Sequence, residues 1–302
     1  MADAQADVQL KDFQNIFRLE GKVAVVTGGS RGLGLHAASG LLQAGASRVF
    51  ITSRKAKACE EACAALNALP NKAPGAKAIS VPADSSKVSE IERLVAEVKK
   101  HTDKVDILLA NAGATWGAPF DEHPEQAFTK VLDLNDGPYT RNQRIGGERQ
   151  MWIYTVADPP TTRFTPLLEA GATISDPSRV IVTGSVAGIG IGTTNSANAT
   201  TGYSVSKAAV LHMARNLAVE LGPRGILVNG IAPGFFPSKM ANGLIELVGG
   251  KDNLEKANPN KRLGLPEDFA AAVVYLCSKG AGHVNGDTIV LDGGNIWARA
   301  QL

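Results

Sequence analysis

Seven short apolar runs recur along the chain: 22–27, 48–52, 78–81, 105–109, 179–183, 226–231 and 288–291. They are rich in valine, isoleucine and leucine and show little polar alternation, the pattern of strands buried on both faces. Between them apolar residues fall at helical spacing. The stretch 35–45 ends on Gly45, suited to a C-terminal cap. Two further stretches, 203–221 and 266–276, behave likewise, and the second opens on Pro266, a residue favoured in a helix's first turn. Strand and helix alternate throughout, with no repeat. The pattern predicts a single doubly wound α/β domain with a mostly parallel seven-stranded sheet, spanning 19–302 behind a polar arm at 1–18.

The first run leads directly into Thr27-Gly28-Gly29-Ser30-Arg31-Gly32-Leu33-Gly34. Glycines in a strand-to-helix turn permit a tight reversal and let the backbone approach a pyrophosphate. The helix start adds free N–H groups and partial positive charge. This is the signature of a Rossmann-type dinucleotide site, with Gly28, Ser30, Arg31, Gly32, Leu33 and Gly34 as cofactor-binding candidates. A site that prefers NAD usually carries an acidic residue after the second strand, on the ribose 2′-hydroxyl. Here that place holds Arg54, between Ser53 and Lys55. Guanidinium binds a 2′-phosphate that a carboxylate would repel, so Arg31 and Arg54 predict NADPH/NADP+. The plain alternative is two solvated surface arginines.

The fifth run ends on Gly184-Ser185, and Tyr203 and Lys207 follow, four apart and so on one helical face. A free tyrosine titrates near 10, high for proton transfer at neutral pH. A nearby ammonium and the cationic nicotinamide of the oxidised cofactor favour the phenolate and are expected to lower that value. Ser185 can hydrogen-bond a substrate oxygen. The pattern is weak alone, since Tyr275 and Lys279 repeat it. Tyr275 lies within an amphipathic stretch that no catalytic strand end precedes, so that copy is read as structural.

With these motifs in order, the chain resembles the short-chain dehydrogenase/reductase family from about Leu19 to Gly294. The resemblance implies that Asp84 contacts adenine, that Asn111-Ala112-Gly113 forms the central motif beside the cofactor, and that Asn135 holds a relay water. Ser185, Tyr203 and Lys207 complete its catalytic set, with Tyr203 and Lys207 also at the cofactor. Pro233, Gly234, Phe236 and Ser238 form its nicotinamide loop. Within the family, 111–118, 184–189 and 231–240 look most like NADPH-dependent 3-oxoacyl reductases of the rhamnolipid-pathway type and their fungal relatives. The implied reaction is hydride transfer from NADPH to a ketone, giving a secondary alcohol. The alternatives are an NADPH-binding protein with impaired catalysis and an alcohol dehydrogenase working oxidatively. A homodimer or homotetramer is implied, packed through 203–221 and the region near Leu167.

The chain leaves the family pattern after Asn135. The family continues an apolar helix there, but here Gly137-Pro138, Gly146-Gly147 and Pro159-Pro160 interrupt it. About 136–163 is read as an insertion: a substrate lid, a disordered loop or a translated intron. The loop 186–202 is uncharged and longer than usual, and is either pocket wall or ordinary surface.

Composition narrows the remainder. A net charge of +2 gives no case for nucleic acid or an anionic membrane. The partner implied is a small carbonyl compound. Cys59, Cys63 and Cys277 have no metal-ligand spacing and suit a reducing cytoplasm. The five histidines do not cluster, so no metal is expected. No run is long enough for a membrane span.

Overall fold

The computed structural model describes residue 10 and residues 12–135, 140–145, 151–155, 160–194, 197–238, 245 and 250–298. Each of the seven runs forms a strand: β1 Val23–Thr27, β2 Arg48–Thr52, β3 Lys77–Ser80, β4 Ile107–Ala110, β7 Ser178–Thr183, β8 Ile226–Pro233 and β9 Thr288–Leu291. Their order in the sheet is β3-β2-β1-β4-β7-β8-β9, and every pair is parallel. β5 (Thr140–Ile145) and β6 (Met151–Thr155) form a separate antiparallel pair.

Alternate residues of each strand enter opposite cores. Ala24, Val26, Val49, Ile51, Ile107 and Leu109 lie on one face. Against them pack α1 (Gly32–Gln43), α2 (Ala56–Asn67) and α8 (Pro266–Cys277). Val23, Val25, Phe50, Leu108, Val180 and Val228 lie on the other face. That face is covered by α3 (Val88–Lys99), α5 (Pro160–Gly171) and α6 (Thr201–Leu221). Burial on both faces explains why the strands read as continuous apolar runs. The sheet winds outward from β1 to β3, then restarts at β4 beside β1. That reversal opens a crevice beyond the carboxyl ends of β1 and β4, where ligands of open α/β sheets gather.

Helix α4 (Glu125–Asn135) stops at Asn135, ahead of Asp136-Gly137-Pro138. Helical structure resumes at Pro160, so the last four residues of the expected insertion are helical. Pro160 stands at the first helical position, where its missing N–H has no intrahelical partner to lose. The same residue type that breaks a helix here begins one. Residues 136–139, 146–150 and 156–159 lie outside the described residues, so the three readings of the insertion stay open. At the other end of the chain, the arm's last turn docks on α8's exit. The Gly280 N–H donates to the Ile16 carbonyl at 3.2 Å, and the Phe17 ring lies 6.3 Å from that of Tyr275.

Candidate active site

The turn after β1 is built for an anion. Gly28 and Gly32 have φ of 64° and 54°, a region that favours glycine. Gly34 is pressed so closely under the turn that a Cβ there would stand 2.5 Å from the Gly28 carbonyl oxygen. At Gly32 a side chain would project into open space, nearest Ser238 at 3.9 Å, and so would fill the cradle. Helix α1 begins here with no side-chain cap and no acidic residue in its first turn. Its leading N–H groups and dipole are left for a phosphate. Ser30 and Leu33 are partly buried in this turn, and Arg31 is exposed at the α1 cap position. This donor set fits the diphosphate of a dinucleotide.

Arg54 is exposed just past β2. It lines a groove of about 470 Å³ with Ser86, Thr129, Lys130 and Asp133. Among the described residues, neither Arg31 nor Arg54 forms an ion pair. Asp84, next to this groove in sequence, accepts from the Ser86 N–H at 3.1 Å and its hydroxyl at 2.7 Å.

Beneath the cradle, β1 and β4 are tied together through one threonine. The N–H groups of Asn111 and Ala112 both donate to Thr27 Oγ1, at 2.9 and 3.0 Å. The Asn111 amide donates back to the Thr27 carbonyl at 3.1 Å. Asn111 thus shapes the floor with its side chain rather than reaching outward. Asn135, buried at the end of α4, makes a two-way bond with Ala114. Its Oδ1 accepts from the Ala114 N–H at 2.8 Å, and its Nδ2 donates to the carbonyl at 3.0 Å. Nδ2 also donates to Ser206 Oγ at 2.8 Å, and that hydroxyl donates to the Tyr203 carbonyl at 2.7 Å. Asn135 is therefore anchored to the element that carries Tyr203. Gly113 lies between the two groups: a Cβ there would stand 3.0 Å from Asn135 Oδ1 and 3.6 Å from Lys207 Nζ.

Ser185 follows β7, and its hydroxyl accepts from the Ala187 N–H at 3.2 Å. It also shares a hydrogen bond with the Tyr203 phenol. Lys207 is buried one turn along α6, with Nζ 5.8 Å from the centre of the Tyr203 ring. That ammonium donates to the Thr183 carbonyl at 2.7 Å. Burial pushes the phenol above the usual tyrosine value, and the Ser185 hydrogen bond opposes the rise. The value thus moves up, where the spacing of Tyr203 and Lys207 predicts that it falls. Desolvation outweighs the opposing influence, while Lys207 is drawn to the Thr183 carbonyl.

The last loop closes the crevice. Pro233 ends β8, and the Gly234 N–H donates to the Leu291 carbonyl at 3.0 Å. Ser238 faces the glycine turn at Gly32. The Phe236 ring is buried against Phe269 at 6.2 Å, so any role of this residue at a ligand falls to its main chain. The structure thus gathers the glycine turn, Asn111, Gly113, Asn135, Ser185, Tyr203, Lys207 and Ser238 around one crevice. It sets Arg54 and Asp84 toward the outer groove. Sequence reasoning missed Ser206, Thr183 and the bracing by Thr27, since small hydroxyls beside motif residues carry no spacing signal. It also missed Gly188. A Cβ there would overlap the main chain of Lys207 and Ala208.

The family described as "short chain dehydrogenase" matches residues 22–141, and "Enoyl-(Acyl carrier protein) reductase" matches residues 163–295. The Rhamnolipids biosynthesis 3-oxoacyl-[acyl-carrier-protein] reductase of Pseudomonas aeruginosa is 35% identical over 278 residues, 92% of this chain and 97% of that protein. The 5-keto-D-gluconate 5-reductase of Escherichia coli is 31% identical over 284 residues, 94% of this chain and 99% of that protein. The Pseudomonas aeruginosa RhlG/NADP active-site complex superposes with a TM-score of 0.79 at 34% identity, covering 93% of this chain and 98% of that one. This chain belongs to the short-chain dehydrogenase/reductase family and is an oxidoreductase. Among the described residues, no helix is long and apolar enough to cross a membrane.

Proposed function

We propose that the protein reduces a ketone, a 3-oxoacyl or related carbonyl compound, to a secondary alcohol with NADPH as donor. The observation that carries this reading is the grouping of Ser185, just after β7, with Tyr203 and the Lys207 ammonium, 5.8 Å from the centre of the phenol ring, at the carboxyl edge of the sheet. The cofactor, when bound, supplies the hydride. The α1 N-terminus and the glycine turn would hold its diphosphate. Arg54 and Arg31 would hold a 2′-phosphate, and Gly113, Pro233, Gly234 and Ser238 would line its reacting end. Ser185 donates a hydrogen bond to the ketone oxygen. Tyr203 hands its phenolic proton to that oxygen as negative charge develops there. Lys207 stabilises the phenolate left behind, and Asn135 holds Ala114 and α6 in place.

Burial disfavours the Tyr203 phenolate, which suits a proton donor. The network Asn135–Ser206–Tyr203 supports a working enzyme over a silent NADPH-binding protein, because it ties the helix that carries Tyr203 to the last residue before the insertion. The test is consumption of NADPH against 3-oxoacyl thioesters, β-keto esters and cyclic ketones. Turnover with NADPH well above that with NADH is expected. Tight NADPH binding without turnover of any ketone would leave the silent-binder reading in its place.

The exposed Val205 and Val219 on α6 support a homodimer or homotetramer through that helix. A monomer in light scattering at micromolar concentration removes that assignment. The three free thiols, all buried, support a reducing cytoplasmic setting, to be checked by fractionation.

A further inference from the structure

Three loops meet at the N-terminus of α6, one turn from Tyr203. The Ala118 N–H donates to the Ala199 carbonyl at 3.1 Å, and the main chain of Gly117 runs against that of Asn198. The Thr200 N–H donates to the Thr193 carbonyl at 2.9 Å. Gly190 lies against the side chain of Ile296, in the short helix α9 (Asn295–Ala298). That helix is fixed by Asp292, whose carboxylate accepts from the N–H groups of Gly294 and Ile296 at 2.8 and 2.7 Å.

Each of these segments turns a large apolar side chain to solvent: Trp116 is 46% exposed, Ile189 41%, Ile191 80% and Trp297 62%. Scattered exposed apolar residues are ordinary, whereas four of them on segments that meet beside one crevice point to a binding surface. The segments that carry Trp116, Ile189 and Ile191 also lack charge. Residues 111–120 and 184–206 contain no Asp, Glu, Lys, Arg or His, and neither do 231–238. A carboxylate-bearing sugar would meet no cation on these segments, and its hydroxyls would face isoleucine and tryptophan.

Resting on the ketone-reductase reading, we propose that this rim receives an uncharged apolar tail attached to the reacting ketone, with Trp116 and Ile191 setting specificity. The substrate class is then an uncharged lipophilic ketone, not a keto-sugar acid. That separates this chain from the chemistry named for one of its two curated relatives above.

The test is direct binding to the protein with NADP+ present, using 3-oxoacyl N-acetylcysteamine thioesters from four to twelve carbons, with 5-keto-D-gluconate as comparator. NADPH turnover is measured in parallel. Affinity is expected to rise about twofold or more per added methylene, below the roughly fourfold of complete burial. Trp116→Ala and Ile191→Ser should flatten that dependence. Ile174→Ser, at a fully exposed site before the entry to β7 and so on the opposite edge of the sheet, should leave it as it was. Since Ile191 is largely in solvent, its variant keeps the test independent of folding. Equal or tighter binding of 5-keto-D-gluconate, or a slope unmoved in both rim variants, overturns the proposal. A retained slope with no turnover of any ketone removes the reductase reading but leaves the rim as an apolar-tail site.

Discussion

Tyr203 and Tyr275 are each followed by a lysine four positions on, yet their surroundings have nothing in common. Tyr203 opens α6 just beyond a strand end, bonded to Ser185, with Lys207 buried on its own helical face. Tyr275 sits near the end of α8 on the other side of the sheet, its ring beside Phe17 and its carbonyl accepting from the Ser278 hydroxyl at 2.7 Å. Lys279 is exposed and lies past the helix's last residue, Cys277, so it cannot share a face with that ring. A two-residue motif defines chemistry only when a strand end, a hydroxyl and a continuous helix are supplied around it. In the one case the tyrosine proposed as proton donor stands beside a crevice. In the other it helps seat the N-terminal arm.

The largest test of this contrast removes each phenol oxygen in turn. Tyr203→Phe should lower kcat for ketone reduction by a factor of about 10² or more, with NADPH binding by fluorescence titration nearly intact. Tyr275→Phe should leave the chemical step as it was. Equal losses in the two variants would mean that the surroundings do not separate them.

A second substitution disturbs the surroundings without touching the motif. Gly188→Ala places a Cβ against the main chain of Lys207, which cannot rotate away. Overpacking of this kind costs about 1–3 kcal/mol. Small shifts of catalytic groups lower rates steeply, so kcat should fall by about tenfold or more. Gly192→Ala meets the Ser204 and Thr200 hydroxyls, side-chain ends that can turn aside, and should be milder. If single-turnover rates rank these two the other way, Gly188 does not set the lysine's position.

The phosphate side of the crevice has no counterpart near Tyr275, and it sharpens the comparison at moderate scale. Arg54→Asp should weaken NADPH by about tenfold or more, from loss of a charge-assisted contact of roughly 1.5–3 kcal/mol. NADH should change little. Calorimetric titration of both cofactors decides it, and equal loss for the two would assign Arg54 to the surface.

The fold was legible because burial on both faces leaves uninterrupted apolar runs, and all seven became strands within a few residues of their expected bounds. The site was legible where chemistry demands a residue type in a fixed local setting, as at Gly28, Gly34, Ser185 and Lys207. Orientation was not. Nothing in the spacing shows that Phe236 turns into the core, or that Asn111 spends its amide on the Thr27 carbonyl. The tyrosine's acidity was misjudged for the same reason: proximity to Lys207 is written in the sequence, but the extent of burial is a property of the packed molecule. The hairpin β5–β6 was hidden by the proline and glycine pairs around it, which announce only where a helix cannot run.

The smallest effect concerns the proton itself. Reduction needs the phenol protonated, so the rate should fall as pH rises through the Tyr203 pKa. Burial sets that value above the ordinary tyrosine range, and the hydrogen bond with Ser185 pulls it down. Removing that bond leaves burial unopposed. In Ser185→Ala the alkaline limb of the normalised kcat/KM profile should therefore move to higher pH, beyond any drop in its height. Tyr275→Phe should show the parent profile, because Tyr275 takes no part in the proton transfer. A limb that stays fixed or moves to lower pH in Ser185→Ala would show that the serine does not tune the phenol, and would assign its effect to holding the ketone oxygen alone.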